Sequence, residues 1–240
     1  MSDADLQSEL KNCIYVGDQT GHAIRHYCIP KYCANDLDSI LVPNGAILDR
    51  IKKLAHTIHA DIGNQPLLCI GVLKGCYRFF AALTNELSRL RESECDYPLI
   101  PDFIRVQSYA NTASTGNVDI IGYEQLAPLR GQNVLVIEDL IDTGLTMKCL
   151  LAKLSLERPA TMRVATLAVK RTAAATEHKY EPDYVGFSLP DKFVVGFGLD
   201  YNQAFRDLDH ICVMNERGVE RFKLEQATSN GVQANGDKHV

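Results

Sequence analysis

Two adjacent carboxylates, Glu138 and Asp139, stand near the end of an apolar run, and a third, Asp142, follows directly before a small-residue turn in the stretch VLVIEDLIDTGLT at 134–146. Ionised carboxylates at the end of a buried strand are costly unless they meet cations or hydroxyl donors. A ribose diol or a hydrated magnesium ion supplies such partners. Asp142, Thr143, Gly144 and Thr146 then form a turn whose backbone N–H groups and hydroxyls face the start of a helix, an arrangement that binds a phosphate monoester. The turn alone is equally a strand-to-helix cap, with Asp142 or Thr143 as the capping residue. The Glu138-Asp139 pair is what a cap does not require.

Positioning these groups takes a strand before them and a helix after them, and the pattern provides both. Residues 66–73, 103–109, 133–141 and 163–169 read as buried strands, each apolar or β-branched with polar flanks. Helical patterns at 75–90 and 146–156 follow two of them, so strand and helix alternate as in a doubly wound α/β sheet that is mainly parallel. Apolar residues at 47, 48, 51, 54, 55 and 58 mark an amphipathic helix with Asp49, Arg50, Lys52 and Lys53 on its other side. Ligands of such sheets bind beyond the carboxyl ends of the strands. Residues 111–122 (NTASTGNVDIIG) are too polar for a core and follow a strand end, which suits a mobile flap over a site. Residues 1–12 and 224–240 lack hydrophobic periodicity and read as flexible tails around one folded body at 13–223.

With 240 residues, 46% of them hydrophobic, the chain buries a full core in one domain with a subdomain. A formal net charge of -5 offers no global attraction for nucleic acid but leaves room for a local basic pocket. The eight cysteines contain no Cys-x-x-Cys pair and several lie in apolar runs, which suits a reducing compartment. The acidic, polar start is unlike a signal peptide and no apolar run reaches membrane-spanning length. A cytoplasmic protein with no nucleic-acid or membrane partner is expected. The histidine pairs His56/His59 and His22/His26 form no recognised zinc-ligand set.

The run Val136-Ile137-Glu138-Asp139-Leu140-Ile141-Asp142-Thr143-Gly144 resembles the 5-phosphoribosyl-1-pyrophosphate (PRPP) signature of the animal-type hypoxanthine-guanine phosphoribosyltransferases. Further stretches are similar in the same order: Leu73-Lys74-Gly75, Ser108-Tyr109, Leu167-Ala168-Val169-Lys170-Arg171, Pro190-Asp191-Lys192-Phe193-Val194-Val195-Gly196, Leu199-Asp200-Tyr201-Asn202 and Phe205-Arg206-Asp207. The likeness spans roughly 15–223. It implies a type I phosphoribosyltransferase fold, with a small hood subdomain built from N- and C-terminal segments, and magnesium-dependent transfer of a phosphoribosyl group from PRPP to hypoxanthine or guanine, giving IMP or GMP and pyrophosphate.

Roles follow from the resemblance residue by residue. Glu138 and Asp139 hold the ribose hydroxyls, Asp139 partly through magnesium-bound water, and Thr143, Gly144 and Thr146 hold the 5-phosphate. Asp142 sits beside N7 of the purine as general base, or stabilises the developing charge there. Lys170 donates to the purine 6-oxygen, Phe193 stacks on the base, and the Val194 backbone reads its edge. Asp200 binds a second magnesium and Arg206 the pyrophosphate. Lys74 and Gly75 form a pyrophosphate-binding turn with a cis peptide before Lys74, and Ser108 and Tyr109 begin a flap of about 108–123 whose closure keeps water out. Dimers or tetramers are expected. Gln107 and Leu145 replace lysines common in animal members, and Cys76 replaces a smaller residue.

Two other readings remain open on sequence. Asp142-Thr143-Gly144 is also an aspartic-protease signature, although that chemistry needs a second copy and a mostly antiparallel sheet. A non-catalytic relative would bind PRPP or nucleotides as a sensor, although no basic helix-turn-helix segment is present to contact DNA.

Overall fold

The computed structural model describes residues 12–91, 97–108, 118–178 and 180–223. They gather into two compact units, one from residues 12–18 and 45–191, the other from residues 19–44 and 192–223. In chain order the elements are β1 (Ile14–Tyr15), β2 (Leu37–Val42), α1 (Asn44–Ile62), β3 (Leu67–Leu73), α2 (Tyr77–Arg91), β4 (Leu99–Ser108), β5 (Val118–Ile121), β6 (Asn133–Ile141), α3 (Leu145–Ser155), β7 (Thr161–Lys170), α4 (Ala173–His178), β8 (Tyr184–Leu189), β9 (Val194–Val195) and β10 (Ile211–Met214). A helical stretch at 216–223 follows.

The first unit is a seven-stranded sheet ordered β1-β8-β7-β6-β3-β4-β5. Every pairing is parallel except that of β4 with β5. From β3 the chain steps outward to β4 on one side, and from β6 it steps outward to β7 and β8 on the other, so the order reverses between β3 and β6. Ligands of doubly wound sheets bind at such a reversal, outside the carboxyl ends of the strands. Those ends here are Leu73 and Ile141.

Alternation along each strand gives both faces of the sheet something to bury. Leu68, Ile70 and Val72 of β3 and Val134 and Val136 of β6 pack with Met147, Leu150 and Leu154 of α3. On the opposite face Gly71 leaves space that the rings of Phe80 and Phe103 fill, 4.5 Å apart between centroids. The protein therefore holds β6 as a central strand with parallel neighbours on both sides, which excludes the antiparallel setting an aspartic protease would place around Asp142.

Strand β6 coincides with the expected 133–141, while β4 begins at Leu99 rather than 103. Pro101 and Asp102 interrupt the apolar pattern there, yet Leu99 and Ile100 pair in register with Leu67 and Leu68. The Asp102 carboxylate accepts hydrogen bonds from the Phe103 and Ala127 amides at 2.8 and 2.9 Å, which makes it tolerable in the strand. Residues 118–121 were expected within a mobile flap but form β5, antiparallel to β4, because Ile120 is buried in the core. The stretch 109–117 and the two proposed tails, apart from residue 12, lie outside the described residues.

The second unit is a three-stranded antiparallel sheet, β2-β10-β9. Its core joins Cys33, Leu37, Ile40, Val195, Phe205, Leu208, Cys212, Met214 and Phe222. A fully buried carboxylate, Asp36, is paired with Arg221 of the last helical stretch at 2.7 Å.

Because α3 is seated through Leu150, which is 0% exposed, Leu150→Ala should cost roughly 3 kcal/mol of stability in a denaturant titration.

Candidate active site

The acidic pair sits where β6 leaves the sheet, and its local environment is set by the turn after β3. That turn brings Gly75 so close to β6 that a Cβ on it would lie 1.8 Å from Asp139 Oδ2. The peptide bond between Leu73 and Lys74 is cis, as the sequence implied. Glu138 keeps some surface, but the packing around its carboxyl pushes it well above the ordinary carboxylate range, first by desolvation and then by the Asp139 charge. One Glu138 oxygen accepts a hydrogen bond from the Asp139 amide at 3.2 Å. Cys76, 0% exposed, has its thiol pushed up by burial and then by Glu138 and Asp139, which makes it a packed thiol rather than a reactive thiolate.

The Asp142-to-Thr146 turn follows directly. Gly144 adopts φ +80°, the left-handed region, and caps α3 with no side-chain hydrogen bond. Thr143 Oγ1 accepts from the Leu145 amide at 3.3 Å, so a threonine hydroxyl meets one of the first amides of the helix. The amide end of an eleven-residue helix thus meets the Asp142-to-Thr146 turn, with Leu145 and Thr146 exposed on it. Tyr180, a residue that the sequence did not mark, packs behind this turn: a Cβ on Gly144 would lie 2.5 Å from its Cβ. Its only signal was an aromatic in a polar connection.

Parallel pairing of β6 with β7 matches Ile141 with Val169, so the next residues, Asp142 and Lys170, emerge side by side. Lys170 Nζ lies 4.0 Å from Asp142 Oδ2, with the lysine largely buried and the acid about half exposed. At that distance the charges attract without a direct hydrogen bond, and both keep donor and acceptor capacity for a ligand. Arg171 fastens the strand end behind them: its guanidinium donates to the Ser188 and Val16 carbonyls at 2.7 and 2.8 Å and pairs with Asp18 at 2.7 Å.

In the second unit Phe193 is 42% exposed and meets Tyr201 edge-on at 4.7 Å, so it is not a core ring. The Phe193 carbonyl accepts from the Met214 amide at 2.9 Å. Strand alternation then turns the Val194 amide and carbonyl away from β10, toward the outer side of this edge strand. Asp200 and Arg206 are brought together as an ion pair at 2.7 Å, and Arg206 also donates to the Gly198 carbonyl at 2.8 Å. The second Asp200 oxygen accepts from the Gln203 amide at 2.8 Å.

Lys74 is exposed on its turn, and Ser108 ends β4 opposite Val118. Tyr109 lies outside the described residues. Among the described residues no three His, Cys, Asp or Glu side chains converge as a metal cage. The carboxylate oxygens of Glu138 and Asp139, and separately of Asp200, nevertheless suit magnesium, which is commonly held by one or two carboxylates with substrate oxygens and water completing its shell.

The phosphoribosyl transferase domain family matches residues 39–202 of this sequence. The hypoxanthine-guanine phosphoribosyltransferases of Bos taurus and Homo sapiens are each 44% identical to it over 207 residues, 86% of this chain and 94% of theirs. The chain belongs to the hypoxanthine-guanine phosphoribosyltransferase family. Among solved structures, the hypoxanthine-guanine phosphoribosyltransferase of Schistosoma mansoni in complex with IMP superposes with a TM-score of 0.73 at 34% identity, covering 88% of this chain and 99% of that one. A hypoxanthine phosphoribosyltransferase from Staphylococcus aureus gives a TM-score of 0.69 at 32% identity, covering 79% and 98%. The type I phosphoribosyltransferase fold is thus the fold of this protein, and its mainly parallel sheet carries the acidic signature at the expected strand end.

For a phosphoribosyltransferase, a carboxyl pair that strains against its own burial has a measurable signature. Glu138→Gln removes one buried charge, so the ligand-free protein should gain roughly 1 kcal/mol and melt a few degrees higher, while kcat/KM for PRPP falls. Gly75→Ala should do the reverse in stability, because its Cβ collides with Asp139. Calorimetric melts and initial rates on both variants check the pair.

Proposed function

We propose that this enzyme performs purine salvage by transferring the 5-phosphoribosyl group of PRPP to N9 of hypoxanthine or guanine, releasing pyrophosphate and giving IMP or GMP. The observation that carries this reading is the Asp142–Lys170 arrangement, an acid and an ammonium 4.0 Å apart at the carboxyl ends of adjacent parallel strands. A 6-oxopurine that reacts at N9 while protonated at N7 presents an N–H donor and the O6 acceptor side by side on one edge. The carboxylate accepts from N7–H and the ammonium donates to O6. Adenine presents an amino donor in place of O6, which Lys170 opposes, so discrimination follows from hydrogen-bond polarity.

In the reaction N9 forms a bond to the anomeric carbon as the bond to the pyrophosphate oxygen breaks, and the electron pair leaves with pyrophosphate. Asp142 takes the N7 proton or stabilises the positive charge that builds on the base. Glu138 and Asp139 orient the ribose hydroxyls, while Thr143, Gly144 and Thr146 hold the 5-phosphate at the amide end of α3. Lys74 and Gly75 receive pyrophosphate, and Ser108 and Tyr109 start the covering flap. In the second unit Phe193 stacks on the base, the outward-turned Val194 backbone reads its edge, and Arg206 binds pyrophosphate. Glu138, Asp139 and Asp200 hold magnesium, of which two ions are expected, one bound through PRPP and water; when bound, that cation neutralises charge on the leaving group.

The protein is read as cytoplasmic: the described cysteines are all free thiols, and among the described residues no helix is long and apolar enough to cross a membrane. It is further read as a homodimer or homotetramer, for which the exposed Lys74 and Tyr77 beside the pyrophosphate turn offer contact surface.

Pyrophosphate release on mixing with PRPP, magnesium and each of hypoxanthine, guanine, xanthine and adenine tests the assignment. Turnover is expected with hypoxanthine and guanine and not with adenine. Asp142→Asn should lower kcat by roughly a hundredfold or more, with little change in PRPP affinity. Tight PRPP binding without turnover on any base would instead identify a sensor.

A further inference from the structure

The loop that carries Asp200 and Arg206 is a chain of unfavourable backbone conformations. Gly196, Phe197, Gly198, Asn202, Gln203 and Phe205 all have positive φ, at 96°, 52°, 102°, 50°, 70° and 71°. For the non-glycine residues among them the left-handed region costs on the order of 1 kcal/mol each. Such a loop keeps its shape only where its contacts over-determine it. Three contacts do so within the second unit. Phe205 is 1% exposed and packs on Phe222 at 4.6 Å. Arg206 ties back to Gly198 and Asp200. The third comes from 175 residues away: the Tyr32 hydroxyl donates to Asp207 Oδ1 at 2.5 Å, and its ring leans on Phe205 at 6.4 Å.

We propose that Tyr32 is a positioning residue for the pyrophosphate clamp, holding Asp207 so that Arg206 presents its guanidinium to pyrophosphate in the correct direction. This rests on the reading of Arg206 as a pyrophosphate ligand. Asp207 follows Arg206 directly in sequence, and an unrestrained carboxylate there would compete with pyrophosphate for the same cation. The Tyr32 hydroxyl takes up one of its oxygens and draws the side chain toward Tyr32. Partial burial, and after it the hydrogen bond to Asp207, push the Tyr32 phenol above its usual range, so it stays a donor at any working pH. Its ring is half exposed, so its contribution to the core is small and its contact with Asp207 is what the hydroxyl is for.

The test uses the full-length chain with Tyr32→Phe, Asp207→Ala, the double variant and Arg206→Ala as reference, each assayed for KM of PRPP, KM of hypoxanthine, the pyrophosphate inhibition constant and Tm. Tyr32→Phe should raise the PRPP KM and the pyrophosphate constant about fivefold, the effect of one hydrogen bond, with the hypoxanthine KM and Tm unmoved. In the Asp207→Ala background the same replacement should add nothing. An unchanged pyrophosphate constant in Tyr32→Phe beside a raised one in Arg206→Ala would overturn the positioning role and leave the clamp standing. A lowered Tm with equal losses for PRPP and hypoxanthine would reduce Tyr32 to a structural contact. If Arg206→Ala itself leaves pyrophosphate binding intact, the clamp reading fails and the role of Tyr32 fails with it.

Discussion

The electrostatic cost of keeping Glu138 and Asp139 adjacent at the end of a central strand governs this structure more than any packing contact. A strand with neighbours on both sides has little water to offer its side chains, and two carboxyls one residue apart repel each other. The neighbours answer that cost by withdrawing. Gly75 contributes no side chain where Asp139 lies, and Cys76 contributes a thiol held in its neutral form. No permanent cage of further ligands gathers among the described residues. On the proposed reading, a sugar that brings hydroxyl donors together with a hydrated cation suits these two carboxyls.

On the proposed reading, the helix dipole and the backbone supply the complementary charge for the other end of the substrate. On the same reading, a phosphate at the start of α3 meets amide groups, and Leu145 adds no charge there. Gly144 turns the chain from β6 into the helix through its positive φ, and Tyr180 occupies the space behind it. Phosphate affinity here depends on geometry held by packing, so it should be less sensitive to ionic strength than a lysine-based site.

The acidic run was easier to read in the sequence than several of the strands around it. Strand β6 was legible because an unbroken β-branched run ends on charge, and the helices were legible through their apolar stripes. Strand β8, Tyr184–Leu189, was not, although every residue in it is buried, because Gly186 and Ser188 break the apolar signature. Strands β9 and β10, of two and four residues, are too short to carry a period. The chemistry in the acidic run could be read locally, whereas the neighbourhood of Asp142 and Lys170 could not. It exists only because β6 and β7 pair in parallel with Ile141 opposite Val169, a fact of register rather than of composition. The contacts of Asp36 with Arg221 and of Tyr32 with Asp207 are equally silent, each joining the chain's beginning to its end.

A shorter-range pairing stands beside these long-range contacts in the second unit. Asp200 and Arg206 neutralise each other at 2.7 Å in the ligand-free protein, so neither charge is left to distort a loop already rich in left-handed residues. On the proposed reading, the guanidinium would exchange this carboxylate contact for a phosphate oxygen, and the released carboxylate would be a hard oxygen donor for the cation that accompanies the substrate. On that reading the loop favours a metal-bound polyanion over either the anion or the metal alone, since only the pair satisfies both groups at once.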